Sequence, residues 1–252
     1  MVPRRTMAES PFLPVGGMGR WKRSGTAGVS TTTHRQQVVQ ETRRETTGNS
    51  GPIPWHAPRL GERDAVPTPG DDDYVYARTD LADLPGHRFV RKRNAVSQFS
   101  RRHPGFRVLP LDDATATDAL AVARGWLDFA LAEGKDDAEG VRYELAAITL
   151  ALENRAALEL TGKVLHTGGR PAAMALASPV NDETADVHFE KALPEFARDH
   201  AYAAVNQGLA AMLSPFAWLN REEDLGDEGL RKAKLSYRPA AMIRRFRATQ
   251  VR

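Results

Sequence analysis

The chain has 252 residues, 41% of them hydrophobic and 27% charged, and no cysteine. That length suits one domain with an appendage or two small domains, and the missing thiols exclude a disulfide scaffold, a cysteine nucleophile and any Cys-ligated zinc or iron–sulfur site. The net charge of +3 divides into +5 over residues 1–70 (10 basic, 5 acidic) and −2 over 71–252 (25 basic, 27 acidic), so the basic excess says nothing about the globular part.

No apolar run approaches the ~20 residues that would span a bilayer, and the start lacks the apolar core of a secretory signal. A cytoplasmic protein is the expectation. Residues 1–70 are rich in Gly, Pro, Ser, Thr and Arg, with no sustained period, and are expected to be a disordered tail. The folded domain is expected over 71–252. Asp80 signals a helix start, Pro85-Gly86 a break, and His87–Arg102 a helix stopped by Pro104-Gly105. Phe106–Leu111 alternates like a strand. Asp112 or Asp113 then caps a helix with Leu120, Ala123, Leu127 and Leu131 on one face. A second helix is expected from Glu139 to Leu160, with Tyr143, Ala147, Leu150 and Leu158 as its apolar stripe. Leu160–Thr167 and Pro171–Ser178 read as a hairpin around Gly168-Gly169. Thr184–Glu190 reads as a third strand with His188 and Glu190 on one face. A helix over 199–213, a strand at Phe216–Leu219, a helix over Asp227–Leu235 and a strand at Met242–Phe246 complete a β-α-α-β-β-β-α-β-α-β order. This order implies an α/β domain with a mixed sheet and helices on both faces.

Three stretches concentrate chemistry. His87–Arg107 carries seven Lys and Arg residues and no acid. Within it Arg91, Lys92, Arg93 and Asn94 are the candidates for binding phosphate or a head group, against the plainer reading of a solvated cationic face. His188, Glu190 and Lys191 stand where a strand feeds a helix N-terminus. Glu190 is the candidate general base there, and an ion pair to a nearby cation is the competing reading. Asn220, Arg221, Glu222 and Glu223 crowd directly after a strand. Lys232 and Lys234 follow as phosphate ligands or as partners for these acids, and Tyr237 as a candidate acid or a packed ring. Carboxylates 222–224 have no histidine near them in sequence, which argues against zinc but leaves magnesium open; no metal is expected. Walker, nucleophile-elbow and His-Glu-x-x-His motifs are absent.

"HRFVRKRNAVSQF" (87–99), "NDETADVHFEKA" (181–192) and above all "LNREEDLGDEGLRKAKLSYRP" (219–239) resemble the C-terminal domain of bacterial phosphatidylglycerol lysyltransferase-like proteins. The resemblance covers about Tyr74 to Arg247. It implies a GNAT-like fold, whose element order agrees with the one read from periodicity. It also implies transfer of an acyl or aminoacyl group to an amine or hydroxyl of a lipid head group or small molecule. On that resemblance Glu190 would be the base and Tyr237 the acid. Arg91, Lys92 and Arg93 would bind donor phosphates or the acceptor head group, and Arg221, Glu222 and Glu223 would shape the acceptor pocket. Acyl-CoA or aminoacyl-tRNA would be the donor. The stretch Leu193–Ala201, where acetyl-CoA enzymes of this fold carry a glycine loop, holds no glycine, which weighs against acetyl-CoA. Aminoacyl-tRNA and anionic lipid head groups are the implied partners, with peripheral contact at the inner membrane surface, and a homo-oligomer stays open. The competing function is a non-catalytic anion-binding or interaction module, or a truncated product that lacks the N-terminal half of such proteins.

Overall fold

Residues 37–43, 65–134 and 138–248 are described in this computed structural model. In chain order they form β1 (Gln37–Arg43), β2 (Ala65–Pro67), β3 (Asp73–Ala77), α1 (Arg78–Asp83), α2 (Val90–Arg102), β4 (Arg107–Pro110), α3 (Asp113–Ala132) and α4 (Ala138–Glu153). There follow β5 (Thr161–Thr167), β6 (Arg170–Pro179), β7 (Thr184–Ala192), α5 (Pro194–Ala197), α6 (Ala201–Met212), β8 (Trp218–Asn220), α7 (Glu228–Leu235) and β9 (Ala241–Ala248). One mixed sheet runs β1-β9-β3-β8-β7-β6-β5-β4, with β2 also paired to β9. Among the described residues, β7 and β8 are the pair that runs parallel. This is the mixed sheet flanked by helices that the element order implied.

Local chemistry explains most of these elements. Asp112, not Asp113, caps α3: its carboxylate accepts from Thr115 N at 2.9 Å, and the Thr115 hydroxyl accepts from Asp112 N at 2.9 Å, a reciprocal capping box. Gly168 and Gly169 both take positive φ (58° and 77°), so the β5–β6 hairpin closes in a backbone form that L side chains resist. Along β6 the side chains alternate. Ala173, Ala175 and Ala177 pack with α1, α2 and α6 residues such as Leu81, Phe99 and Leu209, while Met174 and Leu176 pack with Val122 of α3 and Ile148 of α4. Phe89 and Phe99 are fully buried, worth about 1.5–3 kcal/mol each.

Within the segment 1–70, Gln37–Arg43 and Ala65–Pro67 are antiparallel partners of β9; residues 1–36 and 44–64 lie outside the described residues. Two expectations need correction. β3 was unforeseen: its residues Asp73–Tyr76 are buried on both faces, so no alternation marks it. Tyr143 and Leu150 are exposed rather than on the apolar stripe of α4, which consists of Val141, Ile148, Ala151 and Leu152.

Candidate active site

β7 and β8 pair over only three rungs, Thr184 with Trp218, Ala185 with Leu219 and Asp186 with Asn220. Beyond them β7 stays with β6, while the chain after Asn220 stays with β3 through Arg221 N donating to Tyr74 O at 2.9 Å. The strands therefore part at Glu190 and Arg221.

A buried ion pair fills the fork. Glu190 Oε2 accepts from Arg221 Nε at 3.0 Å and Nη2 at 2.5 Å, and Oε1 accepts from Asn206 Nδ2 of α6 at 2.8 Å. The Arg221 guanidinium also lies 4.9 Å from the Tyr237 ring and 5.6 Å from the Tyr76 ring. Burial pushes the Glu190 carboxyl up, but Arg221 and the Asn206 hydrogen bond outweigh it and hold it below the usual range. A carboxylate so held is a weak proton acceptor. Its geometry is that of the ion pair the sequence also allowed.

This pair leaves groups unspent. Among the described residues, Arg221 Nη1 and Asn206 Oδ1 are buried without a hydrogen-bond partner. Lys92 of α2 sets its ammonium 3.7 Å from the centre of the Tyr237 ring. Burial and the charge of Arg221 lower its pKa to about 8 against the opposing pull of Glu190. Tyr237 is buried, and that burial pushes its hydroxyl to about 12, so it stays protonated at neutral pH. Lys92 and Arg221 thus bring two cations against the Tyr237 ring.

The loop after β8 is clamped into position. Glu222 and Leu225 take left-handed φ of 56° and 55°, which costs a non-glycine residue about 1 kcal/mol or more unless its surroundings enforce it. The enforcing group is Lys234 of α7, buried, whose ammonium donates to the carbonyls of Arg221, Glu222 (3.1 Å) and Glu223 (2.6 Å). Asp224, fully buried, accepts from Tyr74 Oη at 2.6 Å, from Arg231 Nε at 2.7 Å and Nη2 at 3.0 Å, and from Gly226 N at 2.8 Å. Asn220 donates to Asp73, which also takes Arg245. Lys234, Asp224 and Asn220 are therefore scaffold rather than ligands for phosphate or metal.

His188 and Glu190 do not share a face. A bulge between Leu176 and Ala177 pairs Leu176 with Phe189 but Ala177 with Val187, leaving His188 as the extra residue. Val187 packs with the α6 side and Phe189 with the α3 side. Glu190 faces Asn206, while His188 binds elsewhere: its Nε2 lies 2.7 Å from Ser178 Oγ and its Nδ1 2.8 Å from Glu222 Oε1. Burial pushes the imidazole down, but the Glu222 bond and charge and the Asp186 charge raise it above its ordinary value. Asp186, His188 and Glu222 bring ligand atoms within 4.8 Å of one another, so the histidine that carboxylate 222 lacks in sequence stands beside it in space, and the trio could take a divalent cation.

The remaining candidates lie apart from the fork. Lys191 is buried against α4, 2.7 Å from Glu144 and over the Trp126 ring. Arg93 caps α1 by donating to the carbonyls of Leu84 and Gly86. Lys232 is exposed, 3.9 Å from Glu228 on its own helix. Arg91 and Asn94 are exposed on α2. Glu223 borders Asp73, Glu222 and Arg245, and burial raises its carboxyl. Sequence reasoning missed Tyr76, Asn206, Ser178 and Asp186; of these, Asn206 alone left a mark, as an amide in the apolar run of α6.

The family model for the phosphatidylglycerol lysyltransferase C-terminal domain matches residues 54–249. A conserved protein of unknown function from Bacteroides thetaiotaomicron is 35% identical, with a TM-score of 0.68 over 75% of this chain and 64% of that one. The C-terminal domain of a protein assigned as a lysylphosphatidylglycerol synthetase from Agrobacterium fabrum shares the fold at 15% identity, with a TM-score of 0.50 over 75% of this chain and 62% of that one. The chain thus spans less than two thirds of the structures it matches. A comparison with curated proteins finds no match. Among the described residues no helix is long and apolar enough to cross a membrane. The match over 54–249 and the shared sheet place the chain in the phosphatidylglycerol lysyltransferase C-terminal family.

Proposed function

We propose that the chain is an acyl- or aminoacyl-transferase whose reacting carbonyl sits at the fork of β7 and β8, and that the donor is an aminoacyl-tRNA and the acceptor a hydroxyl or amine of an anionic lipid head group. The observation that carries this reading is Arg221: buried, fixed by a two-point bond to Glu190, and still holding an unspent N–H. A fixed donor of this kind stabilises charge as it develops on a carbonyl oxygen, without reorganisation at the moment of reaction. Tyr237, protonated at neutral pH, is suited to donate to the leaving oxygen. Lys92, with Arg91 exposed on the same helix, suits a phosphate of either substrate. Asn206 Oδ1, unspent on the other side of the Glu190 carboxylate, suits an N–H or O–H of the transferred group. Glu190 acts by positioning Arg221. Membership of the family supports the reaction class.

The test is a transfer assay with radiolabelled lysyl-tRNA and vesicles containing phosphatidylglycerol. Arg221→Lys keeps the charge but loses the fork, and should lower turnover by roughly a hundredfold or more. Tyr237→Phe should lower it by about the same order. Unchanged turnover in both variants would overturn the assignment. Vesicle or tRNA binding without turnover in the parent protein would favour the non-catalytic anion-binding module.

A further inference from the structure

Away from the Arg221–Glu190 pair, three side chains from three elements form one hydrogen-bonded line. Ser178 is the penultimate residue of β6, His188 is the bulge residue of β7, and Glu222 stands in the clamped loop after β8. The hydroxyl, the imidazole and the carboxylate follow one another at 2.7 Å and 2.8 Å. With the imidazole neutral and its proton on Nδ1 toward Glu222, Nε2 is the acceptor for the serine hydroxyl, which is the tautomer that a base needs. Ser178, His188 and Glu222 are each part-exposed. The backbone bulge, the left-handed Glu222 and the Lys234 clamp hold the three in place. A serine oriented on an imidazole that is itself oriented by a carboxylate is the general signature of an activated nucleophile. Both ring nitrogens are already engaged in this line, whereas a cation between Asp186, His188 and Glu222 would have to break it.

We infer that Ser178 is a nucleophile that takes an acyl or aminoacyl group from an activated ester and holds it as a serine ester. In the first step Ser178 Oγ attacks the carbonyl carbon while its proton passes to His188 Nε2. The carbonyl carbon then releases the donor's oxygen, which leaves as an alcohol with the proton from Nε2. In the second step an acceptor hydroxyl, amine or water gives its proton to Nε2 and attacks the serine ester, and Oγ departs and takes that proton back. No electrons change hands and both protons return. The inference gives the transfer reaction of the preceding section a covalent stage, and its test does not depend on that section's substrates.

Because the chain has no cysteine, Ser178→Cys introduces a single thiol whose alkylation by iodoacetamide reports on His188 directly. Asp186 and Glu222 are the other titratable groups facing that imidazole. A thiol paired with His188 should alkylate with a midpoint at least about one pH unit below the ordinary ~8.5, and His188→Gln in the same background should restore the ordinary value. In the otherwise unaltered chain, p-nitrophenyl acetate or a fluorophosphonate should add one group, mapped by peptide mass to Ser178. That adduct should be lost in Ser178→Ala and fall at least tenfold in His188→Gln, with the circular-dichroism spectrum and thermal midpoint of each variant recorded beside it. An ordinary thiol midpoint in both Cys variants, or equal labelling in Ser178→Ala, would overturn the inference. Transfer that persists in Ser178→Ala while Arg221→Lys is inactive would overturn the covalent stage and leave the fork assignment standing.

Discussion

Arg221→Met tests whether the fork rests on the buried pair. The Arg221 and Glu190 side chains are only 11% and 15% exposed, and the guanidinium meets Glu190 Oε2 through two nitrogens. Removing one partner strands the other charge, which costs about 3–5 kcal/mol in buried pairs. For a domain of this size that corresponds to a fall of roughly 6–20 °C in thermal midpoint. Glu190→Gln added to Arg221→Met removes the stranded carboxylate and keeps an amide oxygen for Asn206, so the double variant should recover most of the loss. The pH dependence adds a sign. In the parent, Glu190 is depressed in the folded state, so its contribution is present above about pH 4.3 and is lost as pH falls through the folded value. In Arg221→Met burial alone acts, the folded value rises above the unfolded one, and the variant should gain stability relative to the parent as the solution is acidified from neutral. Urea denaturation from pH 3 to pH 8 measures all of this. A single variant within about 1 kcal/mol of the parent, or a double variant as damaged as the sum of the singles, would refute the account.

Other expectations follow from the same contacts. Phosphate or anionic-vesicle affinity should be highest below pH 7 and should fall as pH rises through about 8, where Lys92 loses its proton; calorimetry should show a decrease of roughly tenfold to a hundredfold, absent in Lys92→Met. Lys234→Met removes the donor for three carbonyls and should cost about 2 kcal/mol or more in urea denaturation. The same change should weaken Ser178 labelling, because it releases Glu222. Gly162→Ala would place a Cβ 2.5 Å from the Ala175 carbonyl oxygen and 2.8 Å from Leu176 Cδ2, and should cost about 1–3 kcal/mol by the same assay.

What could be read from the sequence was whatever repeats with a period or stops at a cap. The Asp112 cap, the paired glycines of the β5–β6 turn and the alternation along β6 are local, so they survive folding unchanged. β3 escaped because Asp73–Tyr76 is buried on both faces and sits between β8 and β9, strands that lie more than a hundred residues further along the chain. In the site, residue types were legible but partners were not. The charges after Asn220 were legible as a crowd; that Lys234 is spent on three carbonyls and Asp224 on Tyr74 and Arg231 depends on how α7 folds back over the loop. Lys191 went elsewhere, to Glu144, for the same reason.

One residue of register decided the rest. Regular alternation would place His188 and Glu190 side by side and make one polar cluster of the β7 end. The bulge at Leu176/Ala177 inserts His188 as an unpaired residue and turns it away from Glu190. The two neighbours Arg221 and Glu222 then divide between the faces, Arg221 to the carboxylate and Glu222 to the imidazole. The cation thereby keeps an N–H without a partner, and the imidazole meets a serine hydroxyl that sequence order gave no reason to notice. Deleting the bulge should therefore separate the two chemistries. A chain lacking His188 would restore strict pairing between β6 and β7, and it should lose all acylation of Ser178 while retaining the Glu190–Arg221 pair, readable as an unchanged pH dependence of stability near the Glu190 titration. Retained Ser178 labelling in that chain would show that the hydroxyl does not depend on His188, and the division of labour argued here would fail.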